Sequence, residues 1–355
     1  MGRSFNTLPL AARRTFRLAA SVSLALAVAY GAGVSMPHMA PLLAFFLGAQ
    51  PSAPMPPAKL LVIAIALAVI LGTGILAAPL VQLYPPVGLT VVALGLFFSS
   101  RLSISGEKAA VGTILAAGLT LVSAVGTLSL SLAEDLIFTL VTAVLIAVVS
   151  QWVVWPFFSE TTGEGKASPA ATLPTEDLMQ RAMRAVVIIM PAYLFLLVNP
   201  TGHTPVMMKS IVLAQTGSSS NARAAALELL GATLLGGALA MTLWTLLKLV
   251  PNLWMFALWV ALLMIAIGRR LYTARGAGFS VHFWMDTTVT CLILLGSAVQ
   301  DSASGKDPYQ GFAVRFGVFS LVSLYAWGAY WILGRLRMAS RTQDHAQMPQ
   351  QVASE

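Results

Sequence analysis

The sequence predicts an all-α fold: a polytopic membrane helical bundle of two parallel repeats, with about 10 to 12 transmembrane segments. Three observations carry this expectation. Of the 355 residues, 57% are hydrophobic and 10% charged, whereas about a quarter of a soluble globular chain is charged. Mean hydropathy is +0.82. The apolar residues gather into segments separated by short polar turns. The chain also repeats itself: at a constant offset His38 falls on His203, Ala49-Gln50 on Ala214-Gln215, and Pro86 on Pro251. Internal duplication in a membrane chain points to a transporter, because two similar bundles can rock or gate about a site between them.

In the first half, Arg13, Arg14 and Arg17 precede an apolar stretch over 18–34. The pattern superficially resembles a signal peptide, yet no cleavage site leads into a soluble domain and further apolar segments follow. It is expected to be a retained first span. Apolar segments over 41–49, 60–81, 87–98, 109–125 and 136–154 complete this half. The second half gives 185–198, 205–214, 224–247, 253–267, 283–299 and 312–333. Several fall well short of the roughly 20 residues that a perpendicular helix needs to cross the hydrocarbon core. Twelve segments therefore do not guarantee twelve crossings. The domain expectation is a first transmembrane repeat over 1–158, a cytoplasmic linker over 159–177, a second repeat over 178–338 and a disordered cytoplasmic tail over 339–355. Linker and tail are polar and lack apolar periodicity.

Lys and Arg in short loops set orientation. With the N-terminus in the cytoplasm, nearly all basic residues lie inside. Only Lys248, Lys306 and Arg315 fall outside, and Lys209 lies within a segment. The acidic Glu134-Asp135 turn and the Tyr84-Pro85-Pro86 turn land outside, as the rule expects. Both termini are then cytoplasmic and the halves parallel. The net charge of +8 is scattered through short loops, which argues for membrane topology over nucleic-acid binding. The single cysteine, Cys291, excludes an intrachain disulfide. No Walker A, His-Glu-x-x-His or Gly-x-Ser-x-Gly pattern occurs, so an enzyme is not expected. Neither is a cofactor or a resident metal.

The short second segment of each half is the most suggestive element. Met36-Pro37-His38-Met39-Ala40-Pro41 and Pro200-Thr201-Gly202-His203-Thr204-Pro205 both set prolines around a histidine. Paired short, proline-interrupted segments at corresponding places in two repeats point to a transporter's binding site; tilted helices with proline caps are the plainer alternative. Lys209 lies inside the second of these segments. A lysine at bilayer depth costs about 2.5 to 3.5 kcal/mol on insertion scales and so faces a partner or a cavity, unless its stem snorkels to the interface. It is a candidate counter-ion for a carboxylate substrate. Asp286, about one turn into its segment, is either a proton-exchanging group or a structural partner of Arg269, Arg270 or Arg275. His38 and His203 are candidate substrate-binding or proton-relaying groups, or hydrogen-bonding caps. Glycines after Lys59 and Arg223 suggest close helix packing. Trp254, Trp259, Trp284 and Trp327 suit either an aromatic substrate or the membrane interface.

These features together resemble the fusaric acid resistance and aromatic acid exporter family of bacterial inner-membrane proteins. The likeness rests on Ala12-Arg13-Arg14-Thr15-Phe16-Arg17-Leu18-Ala19, on Met36-Pro37-His38 through Leu47-Gly48-Ala49-Gln50-Pro51-Ser52, and on Lys59 to Gly72-Thr73. The stretch around Gln215 and that from Arg223 to Gly231 are the second-half counterparts. The resemblance implies proton-gradient-driven export of small, often aromatic, carboxylic acids beside a periplasmic adaptor of the membrane-fusion type. The short linker over 159–177 stands where longer members carry a large cytoplasmic domain, which places this chain with a compact branch. Expected partners are thus a small organic acid, that adaptor, the lipid bilayer and a second copy as a homodimer, with no nucleic acid. The alternative is a non-transporting scaffold or assembly subunit of an envelope complex; a passive channel is a third possibility.

Overall fold

The computed structural model describes residues 8–49, 56–105, 109–160, 175–216, 222–273 and 279–329, which are helical with no strand among them. The helices are α1 (Leu10–Gly31), α2 (Met39–Ala49), α3 (Leu60–Leu83), α4 (Pro85–Ile104), α5 (Ala109–Ala117), α6 (Ser123–Gly126), α7 (Leu130–Val154), α8 (Thr175–Val198), α9 (Pro200–Thr216), α10 (Ala222–Leu249), α11 (Leu253–Thr273), α12 (Val281–Ala303) and α13 (Pro308–Ala329). A π-helical turn over Gly118–Val122 joins α5 to α6 into one interrupted rod. Among the described residues, α3, α4, α7, α8, α10, α11, α12 and α13 are long and apolar enough to cross a membrane. The protein is a polytopic membrane protein. Residues 161–174 of the expected linker and the expected tail over 339–355 lie outside the described residues.

Each apolar segment of the sequence, as far as it lies among the described residues, falls on a helix, and most helices outrun the apolar run that marks them. Residues 330–333 of the last segment lie outside the described residues. Hydropathy stops at the first charge, whereas the backbone ladder does not. Accordingly α1 begins at Leu10, ahead of its three arginines, and α8 at Thr175, where Glu176 and Asp177 occupy the first turn. Carboxylates there oppose the positive end of the helix dipole. Ser129 caps α7 by accepting the Leu132 N–H at 3.1 Å, and Ser280 caps α12 through Phe283.

The eleven residues of α2 rise only about 16 Å at 1.5 Å each, too short for a roughly 30 Å core. They are sheathed by protein instead: α2 packs on α1 and α7, and Met39, Ala40, Leu42, Ala44 and Phe45 are buried. Broken backbone at membrane depth is tolerable in such a setting. In contrast α3 turns Leu61, Val62, Ile65, Val69 and Leu76 outward, an apolar face suited to lipid. Its inner face passes close to the π turn, where a Cβ on Gly74 would collide with the Gly118 carbonyl oxygen.

Packing interlaces the two halves. The largest interface of α1 is with α11, and α8 packs on α4 as well as on α9. Within the halves, α3 lies on the α5–α6 rod and α10 on α12. Helix α13 closes against α8 and α10: the Tyr325 hydroxyl donates to the Val187 carbonyl at 2.7 Å, and the Phe316 ring fills the space over Gly237. Through these contacts α9, α10, α12 and α13 surround a polar interior.

Candidate functional site

Helix α9 opens on Pro200, whose missing N–H costs nothing at a first helical position. Nine residues on, α9 carries Lys209 into the bundle, where the side chain is 2% exposed. Its ammonium donates to the Thr233 hydroxyl of α10 at 2.9 Å and to the Thr290 hydroxyl of α12. It also stands 5.3 Å from the centre of the Phe319 ring of α13, within cation–π range. Both threonines donate their own protons to the carbonyl four residues back, Thr233 to Leu229 at 2.9 Å and Thr290 to Asp286 at 2.8 Å. Their lone pairs are thereby left for the ammonium. Ser323 of α13 extends the cluster, 3.0 Å from Thr233.

All these contacts are neutral. The charge that acts on Lys209 is Asp286, one turn before Thr290 on α12 and 7% exposed. Its carboxylate accepts no hydrogen bond from any described residue, and it also feels the charges of His282 and Glu228. The alternatives left open by the sequence fall differently: Ser280 caps α12, Glu228 accepts from Ser280 at 2.9 Å, and the Arg270 guanidinium stands 5.8 Å from the centre of the Trp284 ring. Arg275 lies outside the described residues.

The two histidines lie at one end of the bundle in unlike settings. His203 stacks on Phe195 with centroids 3.9 Å apart, and its Nδ1 is 3.0 Å from the Phe195 carbonyl. It lines a cavity of about 530 Å³ with Asn199, Val206, Asp301, Lys306 and Arg315. Val206 is three residues from Lys209 on α9, and Val318, also on the lining, precedes Phe319. Two of its lining residues thus share helices with the Lys209 cluster, one turn from Lys209 on α9 and next to Phe319 on α13. Arg315 grips Asp301 with two hydrogen bonds, one of them 3.0 Å. His38, 5% exposed, does not line that cavity; it packs on Gly296 of α12, where any Cβ would strike the imidazole stem, and its Nδ1 is buried without a partner.

At the opposite end, α1 presents Arg13, Arg14 and Arg17 beside the end of α7. Arg14 makes a fork to Glu160 at 3.0 and 2.8 Å, Arg17 pairs with the same carboxylate at 2.7 Å, and Arg13 donates to the Ser159 carbonyl at 2.9 Å. Burial alone would raise the Glu160 carboxyl, but the hydrogen bonds and charges of Arg14 and Arg17 outweigh it. They hold the group below its ordinary value of 4.5.

The structure thus joins Lys209 electrostatically with Asp286 and sets His203 in the adjoining cavity, while His38 stands apart. The sequence reading missed Thr233, Thr290 and Ser323, for which the only signal was a hydroxyl inside an apolar segment, and Phe319, for which there was none. It also missed Glu160 as the partner of the α1 arginines.

Residues 14–154 match the model of a family described as a protein of unknown function (DUF2955), a match that runs from α1 to the end of α7. No curated protein and no solved structure matches the chain. Lys209 and Asp286 both lie beyond the matched stretch.

Proposed function

We propose that this chain is the transport component of a bacterial inner-membrane efflux system, exporting small, aromatic carboxylic acids at the expense of the proton gradient. The observation that carries the proposal is Lys209: an ammonium deep in the bundle, held only by neutral groups, with a carboxylate close enough to act on it electrostatically. Poor screening makes such a charge far stronger than in water. An entering carboxylate is a natural partner for it, and the Phe319 ring beside it offers an aromatic face to the substrate body.

Asp286 is the proton-exchanging group. Ionised, it offsets Lys209 and lowers the site's attraction for anions; protonated, it leaves the ammonium free to draw a carboxylate in. Because a proton carried outward with the anion would run against the gradient, Asp286 gains and gives up that proton on the cytoplasmic side, so that the anion crosses alone. The gradient's electrical part favours export directly, since an anion leaving a negative compartment gains about 2.3 kcal/mol per 100 mV. His203 and the cavity beside it form the exit vestibule, and His38 steadies the neighbouring broken segment against α12.

Reciprocal packing supports two repeats: the first helix of each half, α1 or α8, lies against the fourth helix of the other, α11 or α4. With α1, α9 and the α5–α6 rod added to the eight long apolar helices there are eleven spans, and the short buried α2 supplies the twelfth crossing, six in each half. Both termini are cytoplasmic in this arrangement, which sets the arginine cluster inside and the His203 cavity outside. A periplasmic adaptor would dock at the latter end.

Selectivity tests the proposal. At matched protein level, Lys209→Met weakens transport of 1-naphthoate far more than that of a neutral naphthalene analogue. Equal loss for both would remove Lys209 from the substrate site.

A further inference from the structure

A second cavity, of about 570 Å³, lies on the other side of the C-terminal turn of α12, and the proposed transport site makes no use of it. Its walls come from the ends of α1, α10 and α12 and the start of α11. Leu247, Leu253, Phe256 and Val299 make most of it apolar. The size suits a drug-sized molecule.

The polar groups on its walls are unusually one-sided. The Lys248 ammonium contributes charge, resting 3.3 Å from the Tyr309 hydroxyl. Asn252 uses its carboxamide oxygen to accept the Met255 N–H at 2.7 Å, which leaves its NH₂ group as the remaining donor. The indole N–H of Trp244 and the hydroxyl of Tyr30 are buried with no hydrogen-bond partner, although both side chains belong to the wall. Trp offers only a donor, Lys only donors. No carboxylate lines the cavity. Apart from the Ser302 hydroxyl, which can donate or accept, the polar side chains of this apolar hollow are a cation and groups with a proton still to donate, which calls for an occupant of the opposite character.

The geometry points to a binding site for an amphiphile with an apolar body and a single oxyanion head, seated between Tyr30, Trp244, Lys248 and Phe256. The apolar body fills the space beside Phe256 and Leu247, the oxyanion accepts from Lys248 and Asn252, and a small rotation of the Trp244 and Tyr30 side chains on binding turns their unpartnered N–H and O–H onto it. A free carboxylate and the phosphate of an anionic lipid share this chemistry. The site stands or falls independently of Lys209.

The test is equilibrium dialysis of radiolabelled 1-naphthoate against the full chain in phosphatidylcholine nanodiscs, with empty discs subtracted and naphthalenemethanol as the neutral control. Saturable binding that favours the carboxylate is expected. Trp244→Phe and Tyr30→Phe, which keep their rings, each weaken it about threefold to tenfold, the scale of one hydrogen bond. Lys248→Gln, at an exposed position, abolishes the preference over the neutral control. These comparisons are made in the Lys209→Met background, which removes the transport site's share of naphthoate binding and leaves the cavity's share to be read alone. Displacement of naphthoate by phosphatidylglycerol added to the discs assigns the natural head group to lipid; no displacement assigns it to a free acid. Equal binding of the neutral control, or wild-type binding by all three cavity variants, overturns the site.

Discussion

Lys209 separates a functional charge from a structural one. Its two threonine partners already donate to backbone carbonyls, so removing the ammonium leaves no hydroxyl without a partner. Removing one partner of a buried charge pair destabilises where the other stays ionised, a cost that Asp286 avoids by taking up a proton when Lys209 is gone. Lys209→Met should therefore hold the melting temperature within a few degrees of wild type by calorimetry in detergent, while naphthoate affinity falls by about tenfold or more, the scale of a lost charged hydrogen bond. A large drop in melting temperature would instead make Lys209 a structural strut. Asp286→Asn fixes the neutral form of that group. It is expected to retain anion binding across pH 5 to 8 and to lack the pH dependence expected of wild type; an unchanged pH profile would exclude Asp286 as the proton-exchanging group.

At the level of the element, the Arg14–Glu160–Arg17 contact ties the end of α7 to α1. The Glu160 carboxyl is held below its ordinary value in the fold, so its contribution to stability is present above pH 4.5 and is lost as pH falls through the lower, folded value. Wild type and Glu160→Gln should accordingly differ in thermal stability at pH 7 and converge on acidification below 4.5; a gap that stays constant with pH would remove the ion pair as its cause. The contact between α3 and the π turn leaves no space for a side chain at Gly74. Gly74→Ala is expected to destabilise by about 1 to 3 kcal/mol in reversible unfolding, the usual cost of overpacking, and a neutral result would show that the π turn yields freely. Helix existence was legible in the sequence because lipid demands long apolar runs, and every segment inferred from hydropathy falls on a helix within the described residues. Helix ends were less legible: α1 and α8 run through arginines whose partners, such as Glu160, arrive from distant sequence.

For the molecule as a whole, the candidate site was only partly legible. Lys209 and Asp286 announced themselves as charges inside apolar segments, since the bilayer makes such residues costly. Thr233, Thr290, Phe319 and Ser323 did not, because each is ordinary in its own helix and gains meaning only when α9, α10, α12 and α13 converge. The sequence repeat also suggested that His38 and His203 would play matching roles; instead one is buried against Gly296 and the other lines a cavity. First-half counterparts of the cluster are absent from the sequence, Ala44 standing where the second half has Lys209. The charged centre is thus built by α9, α10, α12 and α13 alone, and the proposed anion site belongs to the second half.

The most direct test of that account is accumulation of 1-naphthoate in everted membrane vesicles containing the wild-type chain or Lys209→Met, with and without an uncoupler. Uncoupler-sensitive accumulation by wild type, absent from the variant at equal protein level, is the expected result. Equal accumulation by both proteins, or none by folded and inserted wild type supplied with its adaptor, would contradict export through a Lys209-centred site.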